Sequence, residues 1–355
     1  MNPRLRKILA QVGSFALAAV LLYLALRGVD FSEVGEALRE AHYVWLLPLA
    51  IITLLSHLLR AWRWQVLLET LPPETPGAAP KRVSLLTAFY SLMIGYMVNY
   101  AAPRAGEFVR AANLAKREQI RFSYVLGTVA VERILDVVVL VAALVSVFVI
   151  FFERLTVLRE LFLTPILNQL GEIPALVLVI LTVVIALLVF SLYRWALLQS
   201  ARYENGWVRR LGAAMASFKE GLLTLIHTKR PVMMVFSTLA IWFCYALMAY
   251  LPLVILGMTE PYHLSLLDAW GIMVLGAVGV AIPSPGGVGS YHYITIETLV
   301  NLFGVPVSPA ASYAILSHAG QLLLYVAVGF LAVLLQGSGL RTLNETTDEN
   351  KPASS

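Results

Sequence analysis

Two groups of ionisable side chains stand where an apolar chain should carry none. Arg104, Glu107 and Arg110 follow Pro103 at helical spacing, with Gly106 between them and Asn99 one turn upstream. Glu132, Arg133 and Asp136 lie inside the apolar run 125–152. Arginine presents a planar fork that bonds two phosphate oxygens at once, so the first group suits a phosphate-bearing ligand. Glu132 and Asp136 are four residues apart and share a helix face, and Arg133 and Asp136 are three apart. Such carboxylates can serve as counter-charges or proton carriers. Two plainer readings stay open: arginines that snorkel to lipid headgroups, and a buried ion pair that fixes helix packing.

A second constellation is neutral. Pro285-Gly286-Gly287-Val288-Gly289 offers either backbone N–H groups near half-helix ends or only a tight turn that needs glycine. No Gly-Lys-Ser/Thr follows, so it is not a phosphate-binding P-loop. Tyr291, His292 and Glu297 come after it, and His318 and Gln321 share a face further on. These five would line an outer vestibule, although His318 and Gln321, like His57 and Arg60, read first as packing or interfacial residues. No His/Cys group has metal-ligand spacing, no Ser-His-Asp arrangement is legible, and no cofactor motif is present.

What positions these groups is a membrane-embedded chain. Of 355 residues, 59% are hydrophobic and 13% charged, against about 25% charged in soluble domains. Spans that suit a hydrocarbon core of about 30 Å fall at 8–26, 43–59, 125–152, 174–193, 231–256 and 310–335. Arg60, Trp62, Arg63 and Trp64 after the second span read as an interfacial anchor. Short amphipathic helices are expected at 27–42 and, with Leu211, Met215, Phe218, Leu222 and Leu225 on one side, within 194–230. The runs 85–102, 268–282 and 291–303 end at Pro/Gly breaks or are too short to cross, and read as arms of two re-entrant hairpins. The lone cysteine, Cys244, excludes an intrachain disulfide. The formal charge of +5 reports orientation rather than nucleic-acid binding. The basic start is read as a retained span rather than a cleaved leader, because Arg27 follows the apolar run without a small-residue cleavage pattern.

The fold expected is therefore all-α and integral to the membrane, with about six spanning helices and two re-entrant hairpins. Leu85-Leu86-Thr87-Ala88-Phe89 resembles Leu266-Leu267-Asp268-Ala269-Trp270, and Gly95 then falls on Gly276. An inverted repeat of about 8–152 and 174–335 follows, within one domain spanning 1–340, with 341–355 a disordered cytoplasmic tail. Inverted repeats with broken helices are a transporter architecture. Twenty-one Lys and Arg residues fall on the proposed cytoplasmic side and four on the other, which puts both termini in the cytoplasm.

Gly95…Asn99…Pro103-Arg104-Ala105-Gly106-Glu107…Arg110, then Gly127-Thr128…Val131-Glu132-Arg133…Asp136, then Pro285-Gly286-Gly287-Val288-Gly289, together resemble the flippase-type transmembrane domain of lysylphosphatidylglycerol synthases. The resemblance covers about 8–335 and is loosest in the last motif. It implies movement of a phospholipid, or another lipid with a phosphate headgroup, between the leaflets of the cytoplasmic membrane. Bifunctional members add a soluble aminoacyl-transferring domain. Only about twenty residues follow the membrane part here, so synthase activity is not expected. The alternatives are a lipid-modifying transferase using Glu107 or Asp136 as base, and a structural partner of a cell-envelope enzyme. A homo-oligomer is compatible with each reading.

Overall fold

The computed structural model describes residues 3–72, 82–102, 105–160, 164, 207–282 and 284–349. Every regular element among them is helical. In chain order these are α1 (Pro3–Ala25), α2 (Phe31–Arg39), α3 (Leu46–Leu68), α4 (Leu85–Ala101), α5 (Gly106–Glu118), α6 (Phe122–Ile150), the single turn α7 (Leu155–Leu158), α8 (Trp207–His227), α9 (Pro231–Ile255), α10 (Leu266–Ala281), α11 (Ser290–Glu297) and α12 (Val307–Glu349). Four segments are long and apolar enough to cross a bilayer: Tyr43–Leu68, Phe122–Ile150, Pro231–Ile255 and Val307–Gly337. The expected span 174–193 lies outside the described residues.

Outward stripes show why these helices suit lipid. Leu47, Ile51, Leu55 and Leu58 line the exposed side of α3, and Ile134, Val137, Val138, Val141 and Val145 that of α6. Both stripes follow the three-to-four-residue helical period. The inward faces differ. On α6 they run Val125, Val129 and Glu132, so the same periodicity that buries valine buries a carboxylate.

Two hairpins give the molecule its two interior cores. Serine starts each one: the Ser84 hydroxyl accepts from the amide of Leu86, and Ser265 and Asp268 form a reciprocal capping box. In the first hairpin, α4 breaks at residues 102–105 and α5 folds back against it. Ala61, Trp64 and Leu68 of α3, Leu92 of α4, and Ala111 and Leu114 of α5 make its core. In the second, α10 and α11 pair across the 3₁₀ turn Pro285–Gly287, and α11 continues into a π-helical turn, Thr298–Leu302. Leu253, Ala269, Ile272, Leu299 and the Ala310–Ala314 stretch make that core. α6, α9 and α10 join the two through Val147, Ile241, Trp242 and Val274.

One expectation changes. The second span does not stop at 59, since α3 continues to Leu68, and Arg60, Arg63 and Trp64 sit inside the protein rather than at an interface. On α8 the described buried residues include Ser217, Gly221 and Thr224, and of the five apolar residues expected on one side Phe218 and Leu225 have described side chains, both partly buried. Small side chains let α8 approach α6 closely: a Cβ on Gly127 would lie 2.7 Å from the Gly221 Cα. The backbone of α12 stays helical to Glu349.

Candidate functional site

Three helices bring the charges together. α3 supplies Arg60 and Arg63, α5 supplies Glu107 and Arg110, and α6 supplies Glu132, Arg133 and Asp136. Glu132 is completely buried and faces three guanidinium groups, Arg110 at 2.8 Å, Arg63 at 3.6 Å and Arg60 at 3.7 Å. Asp136 pairs with Arg63 at 2.7 Å, with Arg60 in closer contact, and with Arg133 at 3.8 Å. Glu107 pairs with Arg133 at 2.7 Å. Arg60 also donates to the Tyr245 hydroxyl (2.9 Å) and Arg63 to the Thr238 hydroxyl (3.1 Å), both on α9. The Arg110 guanidinium lies over the Trp64 ring, 4.9 Å from its centroid, a cation–π contact.

Four guanidinium groups face three carboxylates, so the described cluster carries one excess positive charge. The pairing is also incomplete. Nε, Nη1 and Nη2 of Arg110, and both carboxylate oxygens of Glu132, have no hydrogen-bond partner among the described residues; their ion-pair contact is close but poorly aligned. Buried donors left without acceptors cost about 1–3 kcal/mol each, more when charged. The cluster holds strong unused capacity for an anion.

That capacity opens on a crevice lined by Gly95, Tyr96, Asn99, Gly106, Glu107, Arg110 and Arg133. Its volume is about 10 Å³, room for about one water. Asn99 is committed to structure here: its Oδ1 accepts the Gly106 amide at 2.8 Å, tying the end of α4 to the start of α5. Gly95 and Gly106 are required by contact. A Cβ on Gly106 would collide with the Gly95 carbonyl oxygen and sit 2.7 Å from Asn99 Oδ1.

The neutral constellation assembles separately. Tyr291, His292 and His318 come together, with ring centroids 5.4 Å apart for Tyr291–His318 and 4.9 Å for His292–His318. Gly286, Gly287 and Gly289 of the turn all have positive φ, which supports the tight-turn reading. The Tyr100 ring, at the end of α4, packs on Gly286, so the two hairpin tips touch. Glu297 and Gln321 do not join this group. The Glu297 carboxylate accepts from Asn301 at 2.6 Å, and Gln321 is partly exposed one turn beyond His318. Arg104 and Pro103 lie outside the described residues, as does the side chain of Pro285.

Sequence reasoning missed Arg60 and Arg63. A signal was present: Ser56, Arg60 and Arg63 recur at four- and three-residue steps, placing them on one face with His57 and Trp64 of the next turns.

No curated protein and no solved structure matches the chain. The family model for the lysylphosphatidylglycerol synthase TM region matches residues 11–329. On that match, which takes in both hairpins and the whole ionic cluster, the chain belongs to the lysylphosphatidylglycerol synthase TM region family of multi-pass membrane proteins.

Proposed function

We propose that this protein moves a lipid with a phosphate headgroup between the leaflets of the cytoplasmic membrane, with both hairpins re-entering the bilayer from opposite sides. One observation carries the reading: a buried ionic cluster with one excess positive charge, whose Arg110 N–H groups, at a crevice, make an ion-pair contact with Glu132 but have no hydrogen-bond partner among the described residues. Charges at membrane depth mark pathways by default. The family's association with lipid handling points the same way.

Arg110 and Arg133 would receive the phosphate oxygens, with Arg104 joining them, while Glu107, Glu132 and Asp136 remain as counter-charges. The acyl chains would stay in lipid beside the apolar outer stripe of α6. A crevice the size of one water excludes a phosphate, so passage requires the hairpin tips to part at Tyr100 and Gly286. With no nucleotide-binding motif in the sequence, exchange would be passive or ion-coupled. The matching order of elements in the two halves (helix, helix, hairpin, helix) supports an inverted repeat. Arg60, Arg63 and Arg110 are buried and say nothing about loops. Removing them from twenty-one leaves eighteen basic residues against four, which still favours cytoplasmic termini.

Arg133→Ala tests the reading. Its side chain is 41% exposed, so its loss should leave folding nearly intact. Leaflet exchange of a fluorescent phospholipid in reconstituted vesicles should fall about tenfold, as expected from one lost charge-assisted contact of about 1.5 kcal/mol. An unchanged rate in a protein that melts like wild type rejects it.

A further inference from the structure

We infer that the chain conducts protons along a ladder of histidine and tyrosine rings that joins the ionic cluster to the second hairpin. His57 of α3 lies 4.7 Å from Tyr96 of α4 and 4.9 Å from Tyr325 of α12, centroid to centroid. Tyr325 leads to Tyr100 at 6.2 Å, and Tyr100 to His318 at 6.1 Å. His318 then touches Tyr291 and His292 of α11. The series is unbroken over four helices, and every ring in it bears a group that can both accept and release a proton.

Packing alone does not account for this. Phenylalanine would fill the same space without burying a polar atom. Both ring nitrogens of His57, Nδ1 of His292 and Nε2 of His318 have no hydrogen-bond partner among the described residues, although all three side chains are buried. Buried polar atoms without partners are rare in folded proteins, and each asks for a reason. A relay supplies one. An imidazole takes a proton from water on one nitrogen and releases one from the other. A tyrosine hydroxyl accepts on its oxygen as it gives up its own proton. Each group returns to its starting charge, and the relay requires water to bridge the gaps between polar atoms.

The surroundings suit neutral carriers. His57 faces Arg60 on its own helix, Tyr96 from α4 and Tyr325 from α12. His318 faces Tyr100 from α4 and Tyr291 and His292 from α11, and His292 faces the rings of Tyr291 and His318. No carboxylate pairs with any of the three imidazoles among the described residues. At its inner end the ladder stops one turn from Arg60, whose partner is Asp136. A proton delivered to Asp136 raises the cluster's excess positive charge from one to two and strengthens its hold on a phosphate. That coupling rests on the transport reading above; conduction itself does not.

The full chain in vesicles loaded with a pH-sensitive dye, under a potassium-diffusion potential set with valinomycin, tests it. Wild type should acidify the lumen well above the leak of protein-free vesicles. His57→Phe and His318→Phe should each cut that flux at least tenfold. Tyr100→Phe, which keeps the ring against Gly286, should do the same without a change in melting temperature. Lipid exchange is measured in the same preparation without a gradient. Wild-type flux at the leak level, or flux unchanged in Tyr100→Phe, overturns the ladder whether or not lipid exchanges. Flux without lipid exchange upholds the ladder and removes the transport reading instead.

Discussion

The two hairpins share a frame and differ in chemistry. Each starts Ser-Leu-Leu with the serine as cap. Each closes where backbones meet across eleven residues, Gly95 on Gly106 and Gly279 on Ser290. That closure puts Gly279 opposite Gly95, one turn on from the Gly276 that the sequence match suggests. The first hairpin presents Glu107 and Arg110 to a charged helix; the second presents Tyr291, His292 and Thr295 to neutral partners. Chemistry has been grafted onto a common scaffold. The ionic half holds its groups by mutual pairing, so each is exposed to the loss of its partner. The neutral half holds its groups by packing, where single losses stay local.

The largest effect should come from breaking the pairing. Glu132→Gln keeps shape but removes the carboxylate that faces three guanidinium groups, leaving four arginines against two acids. Losing one member of a buried pair costs about 3–5 kcal/mol. The purified protein should show its greatest fall in melting temperature with this change, beyond any single polar substitution in the second hairpin. If Glu132→Gln melts with wild type, the arginines do not depend on that carboxylate, and the contrast between the hairpins is lost.

Next come two glycines, Gly106 at the first closure and Gly276, one turn before the second closure at Gly279. Gly106→Ala drives a Cβ into the Gly95 carbonyl oxygen, which is backbone and cannot swing aside. Overpacking of this kind costs about 1–3 kcal/mol. Gly276→Ala meets only side-chain ends, Thr295 Oγ1 and Tyr291 Cε2, both at 3.2 Å. Alanine's advantage within a helix, about 1 kcal/mol, should offset that strain. Gly106→Ala is expected to lower the yield of monodisperse protein and the melting temperature, and Gly276→Ala to leave both nearly unchanged. Equal losses would show that Gly276 is packed as tightly as the first closure.

Much of this contrast was legible in the sequence, and the part that was not has a physical cause. Pro103 and the glycine turn announce both hairpins, because each acts on its own backbone. Glu132, Arg133 and Asp136 announce the cluster because they interrupt an apolar period. Arg60 and Arg63 were read as the end of a span, since cationic and aromatic residues after an apolar run look the same whether the helix stops or goes on. What lets it go on is Glu132 and Asp136, some seventy residues later, and that pairing is tertiary. The small residues of α8, Ser217, Gly221 and Thr224, went unnoticed because small side chains carry no hydrophobic period, yet they admit a close neighbour. The His–Tyr ladder was only half visible, as two isolated pairs on separate helices.

The smallest effects sharpen the comparison at single hydrogen bonds. Asn99 Oδ1 accepts the Gly106 amide at the first turn of α5, where backbone donors have no partner within the helix. Asn99→Ala strands that donor and should cost about 1 kcal/mol, as the loss of a helix cap does. Thr295 is the counterpart in α11: its hydroxyl oxygen is buried with no hydrogen-bond partner among the described residues. Valine has the same shape without the oxygen. Removing an unsatisfied buried polar atom is neutral or stabilising, so Thr295→Val should melt at or slightly above the wild-type temperature. The sign separates the halves: a polar group that closes the ionic hairpin weakens it when removed, while one that lines the neutral hairpin does not. A loss at Thr295 as large as at Asn99 would mean that the hydroxyl bonds to something inside the second hairpin, and that this half too is held by polar pairing.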